Sequence, residues 1–290
     1  MNQRKFLARD SRIFSIGSCF ALNVNRWLQF QGFSVPSVTW GMHYNTRTIL
    51  YELQRAAGVQ LPSFDWVVRK SDGSKAYVDA LRHCIDASTP EELAGLKAAV
   101  SSETRRCFEA ADSFLITLGL SDIWEVDVGG QMIALNRAPY QDALSSVGPS
   151  QQEAFNRFLT VQECTEDIVR IVDTIRKNKQ PNIPIVLTVS PVPLKHASRY
   201  CHPHIANSRS KATLLSAVFS FIERDACDQP VSYFPSFEFF DTNPLKIDLW
   251  QRDGRHPTAQ AISCVAEHFV KAYSLAHVEI KPGFSVPIFD

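Results

Sequence analysis

The chain has 290 residues, 45% of them hydrophobic, and its 30 lysines and arginines balance 30 aspartates and glutamates. This composition supports a substantial core and excludes a disordered chain. The balanced charge, with no long run of either sign, argues against a nucleic-acid partner and favours a small or polymeric neutral substrate.

No window approaches the roughly 18 apolar residues of a membrane span, and the N-terminal segment lacks an apolar core of signal-peptide length. The seven cysteines are odd in number and scattered, with no C-x-x-C pair. They are typical of reduced thiols. We therefore expect a soluble, cytoplasmic protein without a membrane span, and the sequence leaves the oligomeric state open.

The first predicted unit is a strand, a glycine turn and a helix. Residues 12–16 form a β-prone run that ends at Gly17, and apolar residues at helical spacing follow up to residue 31. Two potential nucleophiles, Ser18 and Cys19, lie at the turn. The alternative is structural, with Ser18 as a helix cap and Cys19 as a buried thiol.

The later elements alternate between strands and helices. In chain order they are a short strand at 33–36, a helix at 45–57, an irregular excursion at 59–89, a helix from 90 to about 110, a strand at 113–118, a hairpin at 124–135, a helix at 161–177, a strand at 183–189, a helix at 207–224, a strand-like run at 231–240 broken by Pro235, and a helix at 259–273. This alternation predicts one α/β domain over residues 1–290, with a parallel sheet covered by helices on both faces.

A second chemical motif, D-x-x-H, precedes the last helix as Asp253 and His256. The spacing allows the aspartate to bind Nδ1 of the histidine, which would fix the tautomer of a general base. The turn at Gly17 could supply the nucleophile for that base. The alternative is a helix-capping aspartate beside a surface histidine.

Several segments resemble the GSCFA family, which is named for the motif that stands here at residues 17–21. The other family-like segments are TLGLSDIW at 117–124, LTVSPVP at 187–193, SRSKATLL at 208–215, YFPSFEF at 233–239 and DGRHP at 253–257. The family is placed in the wider SGNH (GDSL-like) group of esterases and acyltransferases. The resemblance implies a flavodoxin-like three-layer sandwich with a small hairpin and loop excursions.

The resemblance also implies roles for individual residues. The group's nucleophile follows a glycine by two residues, which selects Cys19 and leaves Ser18 as the alternative. The oxyanion hole would be formed by the N–H group of Cys19, by Gly41 and by Ser121, which stands where the group has asparagine.

The substrate-binding candidates lie on or near loops that should open at the same edge of the sheet: Ser190, His196, Asn207, Ser210 and Lys211. Lys211 could hold a carboxylate or phosphate of the substrate, or could be a solvated helix lysine. The cluster Cys201-His202-Pro203-His204 does not predict a metal site, because adjacent residues rarely converge on one ion.

Two classes of function remain open. In the first, Cys19 attacks an ester or thioester, His256 moves the proton and Asp253 orients His256, so that the protein is an esterase or O-acyltransferase for a small-molecule or carbohydrate substrate. It needs no cofactor, although an acyl-CoA could be the acyl donor. In the second, the fold is a non-catalytic carbohydrate-binding module; a serine esterase that uses Ser18 is a further alternative.

Overall fold

The structure is a computed structural model of the chain. It describes residues 4–289 except 71, 84, 140–142, 148–153, 198, 201 and 225–230, with backbone alone at 143–147. No helix within these ranges is both long and apolar enough to cross a bilayer.

The described helices and strands alternate along most of the chain. They are β1 (Ile13–Ile16), α1 (Cys19–Phe30), α2 (Thr46–Ala56), β2 (Asp65–Arg69), β3 (Lys75–Asp79), β4 (Asp86–Ala87), α3 (Pro90–Ala110), β5 (Ser113–Leu118), β6 (Asp122–Val128), β7 (Gln131–Leu135), β8 (Ala143–Val147), β9 (Phe155–Phe158), α4 (Val161–Asn178), β10 (Ile185–Val189), α5 (Pro203–Arg224), β11 (Val231–Tyr233), α6 (Ser236–Thr242) and α7 (Ala259–Tyr273).

A four-stranded parallel sheet in the order β1-β5-β10-β11 forms the centre of the fold. Its two inner strands, β5 and β10, are buried along their whole length, as expected for a parallel sheet covered on both faces. Successive side chains alternate between two cores. Phe14 and Ile16 pack into the core under α2 to α5, whereas Ile13 packs into the core under α1 and α7. The α/β prediction with helices on both faces is therefore confirmed.

Two antiparallel sheets extend from this centre. The excursion at 59–89 contains β2, β3 and β4, which pair with β8 in the order β4-β3-β2-β8. The predicted hairpin is present as β6 and β7, and β9 pairs with the free edge of β6. The two sheets share a small apolar core that includes Trp66 and Val126.

Two predicted strands differ from the structure. Residues 33–36 run beside β1 without forming a strand: Ile13 donates to the Ser34 carbonyl (3.2 Å), and Pro36 has no N–H with which to extend a ladder. Residues 231–240 divide at Pro235 into β11 and α6. Proline ends the strand because it cannot donate to the ladder, and its φ is compatible with the start of a helix.

The turn after β1 lies in close contact with β5. A Cβ on Gly17 would lie 2.6 Å from both Cβ and O of Thr117 on β5. The carbonyl of Gly17 accepts a hydrogen bond from the N–H of His43 (2.9 Å). Only glycine therefore allows this turn to approach β5 closely enough to place Ser18 and Cys19 at the sheet edge.

We predict that Gly17→Ala lowers the free energy of unfolding by about 1–3 kcal/mol, because the added methyl overlaps β5. The measurement is urea denaturation followed by circular dichroism. Gly95→Ala, in the middle of α3 with open space around its Cβ position, is the matched control. It should be neutral or stabilising by up to about 1 kcal/mol, and equal midpoints for the two variants would contradict the close approach.

Candidate active site

A cleft of about 500 Å³ lies at the carboxyl ends of β1, β5 and β10. This edge of a parallel sheet is where α/β proteins usually bind ligands. Four of the predicted site residues line it: Ser18, Cys19, Ser190 and His196. The structure therefore brings together the turn after β1 and the segment after β10, as the order of the strands requires.

Cys19 is the first residue of α1 and lies half-buried at the cleft wall. The side chain of Ser18 does not cap the helix, so the first N–H groups of α1 remain available. Burial raises the pKa of the Cys19 thiol, while the charge of Arg255, the N–H of Phe20 and the charge of Lys211 lower it. The thiol therefore needs a base to become a nucleophile near neutral pH.

Ser18 is buried, and its hydroxyl donates to Oγ of Ser190 (3.4 Å). Ser190 Oγ in turn accepts the N–H of Val192 (3.3 Å). No histidine or carboxylate is bonded to the Ser18 hydroxyl among the described residues. The Ser18 hydroxyl is therefore bonded to the segment after β10.

Asp253 and His256 form the hydrogen-bonded pair that the motif predicts. Oδ2 of Asp253 binds Nδ1 of His256, and Oδ1 accepts the N–H groups of Arg255 (3.0 Å) and His256 (2.9 Å). Desolvation alone would raise the pKa of Asp253, but these hydrogen bonds lower it to about 2. Phe289 stacks on the imidazole, with ring centroids 3.8 Å apart. The carboxylate and the stacked ring together fix the orientation of His256, with Nε2 as the acceptor.

Arg255 is a cleft residue that sequence reasoning missed. Its Nε donates to the Pro193 carbonyl (3.1 Å), its Nη1 lies 3.4 Å from Nε2 of His256, and its side chain lines the cleft together with Cys19. In the described structure no hydrogen bond joins Cys19 to His256, and neither His256 nor Asp253 is among the residues that line the cleft. The only sequence signal was its place inside DGRHP, between the two motif residues.

Lys211 is not a solvated lysine. It is buried, and its Nζ donates to the carbonyls of Gly119 (2.8 Å) and Ser190 (2.6 Å), which ties the ends of β5 and β10 together. Burial lowers its pKa to about 7, an effect that the charge on Cys19 opposes. Lys211 is not among the residues that line the cleft, so its contacts indicate a supporting role beneath the cleft floor.

Three further predicted residues lie behind the lining. Ser210 Oγ accepts the N–H of Ser121 (2.7 Å), and Asn207 Oδ1 accepts the N–H of Leu194 (3.3 Å). The hydroxyl of Ser121 is buried without a hydrogen-bond partner in the described structure. These contacts position the two cleft-lining segments, and none of them reaches the cleft itself.

Gly41 is required for packing. Its φ is +79°, and a Cβ there would lie 2.5 Å from the carbonyl oxygen of His83, a residue that lines the cleft. Gly41 itself is not among the lining residues. Its predicted oxyanion role is therefore not supported by its position, and the N–H groups at the start of α1 are closer candidates.

Two tryptophans near the site-forming segments are placed differently, and the cluster at 201–204 is described only in part. Trp40 stacks on Phe14 in the core, whereas Trp124 lines the cleft. Cys201 lies outside the described residues, so the cluster at 201–204 is not seen as a whole. The described ranges hold no group of three or more potential ligands arranged for a metal ion.

This architecture defines an α/β protein with a helix-flanked parallel sheet and a cleft at the carboxyl ends of its strands. The GSCFA family profile matches residues 12–269, and the chain belongs to this family. Among solved structures, the chain is similar to a family 3 carbohydrate esterase of Clostridium thermocellum, at 13% identity over 90% of this chain and 94% of that one, with a TM-score of 0.33. None of the curated proteins searched matches the chain significantly.

The buried amine of Lys211 generates a pH-dependent prediction. Its pKa is about 7 in the folded protein and about 10.4 in an unfolded chain. Between these values the unfolded chain holds a proton that the folded chain has released, so stability increases with pH. We expect the free energy of unfolding of the wild type, relative to Lys211→Met, to rise from pH 7 to pH 9 in urea titrations.

The matched control is Lys75→Met, which removes an exposed lysine. Its difference from the wild type should stay constant between the two pH values. If Lys211→Met and the wild type showed parallel pH dependence, the assignment of a depressed lysine pKa would be wrong.

Proposed function

We propose that the protein transfers acyl groups from esters or thioesters, with Cys19 as the nucleophile, His256 as the general base and Asp253 as the residue that orients His256. The position of Arg255 carries this proposal. Its guanidinium lies beside Nε2 of His256 and lines the same cleft as Cys19. Cys19 and the Asp253–His256 pair are more than 200 residues apart in the sequence. Arg255 therefore connects them, because it contacts His256 and lines the cleft with Cys19.

The first half-reaction would acylate the thiol. His256 Nε2 takes the thiol proton as Sγ of Cys19 attacks the carbonyl carbon of the substrate. The tetrahedral adduct then expels the leaving oxygen or sulfur, which takes the proton back from the imidazolium. Asp253 stabilises the imidazolium in between, as its lowered pKa keeps it ionised. A thioester on Cys19 is the result.

The oxyanion of the adduct would be stabilised by the start of α1. The first N–H groups of a helix have no intrahelical acceptor, and the helix dipole places partial positive charge there. Because Ser18 does not cap the helix, the N–H groups of Cys19 and Phe20 can serve. This replaces the predicted contributions of Gly41 and Ser121.

The second half-reaction regenerates the thiol. A water molecule or a hydroxyl group of an acceptor attacks the thioester, and His256 again takes the proton. The adduct then breaks its C–S bond, the acyl group remains on the attacking oxygen, and the imidazolium returns the proton to Sγ of Cys19. The protein is therefore an esterase or an O-acyltransferase that acts on a carbohydrate-type substrate. We also propose that it belongs to the SGNH group. A cleft with the aromatic side chains of Tyr44 and Trp124 on its wall suits a sugar ring.

The test is trapping of the acyl-enzyme. After brief exposure to 4-nitrophenyl acetate and acid quenching, intact mass and peptide mapping should find one hydroxylamine-labile acetyl group on Cys19. We expect Cys19→Ala to remove it and to lower kcat/KM at least about 1,000-fold. His256→Ala should slow acetylation about 100-fold or more, because the thiol then ionises without a base.

Two controls separate this mechanism from its alternatives. Cys264→Ala removes another half-buried thiol, on α7, and should leave labelling unchanged. Ser18→Ala should keep the adduct on Cys19. Labelling that survives Cys19→Ala and disappears in Ser18→Ala would instead assign a serine esterase, and labelling confined to lysines would leave only a binding module.

A further inference from the structure

The cleft has a local charge that the whole chain lacks. The chain has a formal net charge of zero, yet three cationic side chains, Arg137, Lys195 and Arg255, line the cleft against one carboxylate, Asp122. Burial raises the pKa of Asp122, and Asn156 donates to it (2.6 Å). The positive potential of a cleft with low-dielectric walls is focused inward and attracts anions.

Arg255 has no carboxylate partner among the described residues. The carboxylate of Asp253, two residues earlier, is hydrogen-bonded to His256 instead. Within the described structure the guanidinium contacts the Pro193 carbonyl and Nε2 of His256. A half-buried arginine without a counter-ion keeps donors for a ligand, and its planar fork matches a carboxylate or a phosphate.

Lys195 is a second cation of the cleft lining. It follows Pro193 by two residues, is exposed, and forms no ion pair in the described structure. The segment that carries Lys195 is the one whose Pro193 carbonyl accepts the Arg255 hydrogen bond. The cleft therefore holds two cations without ion pairs among the described residues.

The guanidinium also interferes with the base. Nη1 of Arg255 lies 3.4 Å from the Nε2 atom of His256 that has to accept the thiol proton. The guanidinium is therefore hydrogen-bonded to the nitrogen that the proposed mechanism uses as its base. A ligand anion that binds the guanidinium would draw it away from Nε2.

We propose that the substrate carries a carboxylate or phosphate group that Arg255 binds, and that this contact releases Nε2 of His256 for proton exchange with Cys19. The inference rests on the proposed function, which supplies the roles of Cys19 and His256. It names an anionic acylated substrate, in contrast to the neutral one that the balanced composition favours.

Two matched substrate pairs test it and distinguish the sources of the anion. The carboxylate pair is methyl tri-O-acetyl-glucuronide against methyl tri-O-acetyl-glucoside, and the phosphate pair is acetyl-CoA against the truncated neutral thioester S-acetyl-N-acetylcysteamine. We expect kcat/KM to be at least about ten-fold higher for the anionic member of one pair. In Arg255→Gln that ratio should fall to about one, and Arg255→Lys should recover part of it.

Arg26→Gln is the control for net charge, because Arg26 is exposed on α1 and outside the cleft lining. It should keep the preference of the wild type. Equal kcat/KM within both pairs, or a preference that survives in Arg255→Gln, would overturn the inference while acetylation of Cys19 still supported the proposed function.

A binding measurement makes the inference independent of turnover. Cys19→Ala should bind one of the anionic ligands, methyl glucuronide or coenzyme A, more tightly than methyl glucoside or pantetheine in isothermal titration calorimetry. The preference should be lost when Arg255→Gln is added. An inactive wild type with this preference would reject only the proposed function, and equal or absent binding of all four ligands would overturn the anionic substrate.

Discussion

The site depends on one close approach, that of the turn at Gly17 to β5. The missing side chain allows the backbone to lie against Thr117, and the His43 N–H holds the Gly17 carbonyl from the other side. His43 is itself buried, which lowers its pKa to about 4, so it packs there as a neutral ring. With the turn held by these two contacts, α1 begins at Cys19, and the side chain of Ser18 does not cap its first N–H groups.

The elements that the sequence predicted well are those whose local signals agree with their tertiary setting. Helix α3 begins after a threonine cap with proline at its first position, and β5 is an apolar run that is buried on both faces. The pairing of Asp253 with His256 was also predictable, because three residues suffice to fold the carboxylate back onto Nδ1. In each case the geometry is local, so no knowledge of distant parts of the chain is needed.

The rest depends on contacts between distant segments. Residues 33–36 have strand-like composition but lie at an edge with one ladder bond, and the periodicity of a sequence does not reveal an edge. The sequence around Lys211 does not indicate that its amine is buried and donates to two backbone carbonyls. Arg255 reads as a surface residue between two motif positions, and only the fold shows that it reaches Pro193. The balanced overall charge likewise does not show that the cleft is lined by more cations than anions.

The stacking of Phe289 on His256 gives the C-terminal segment a part in the geometry of the base. Gln251 anchors that segment from both of its amide atoms, donating to the Pro287 carbonyl (3.0 Å) and accepting the N–H of Phe289 (2.8 Å). The imidazole is therefore covered by a residue from a separate segment of the chain, and Gln251 holds that segment in place. A change that detached the segment from Gln251 would uncover one face of the imidazole and admit water to the base.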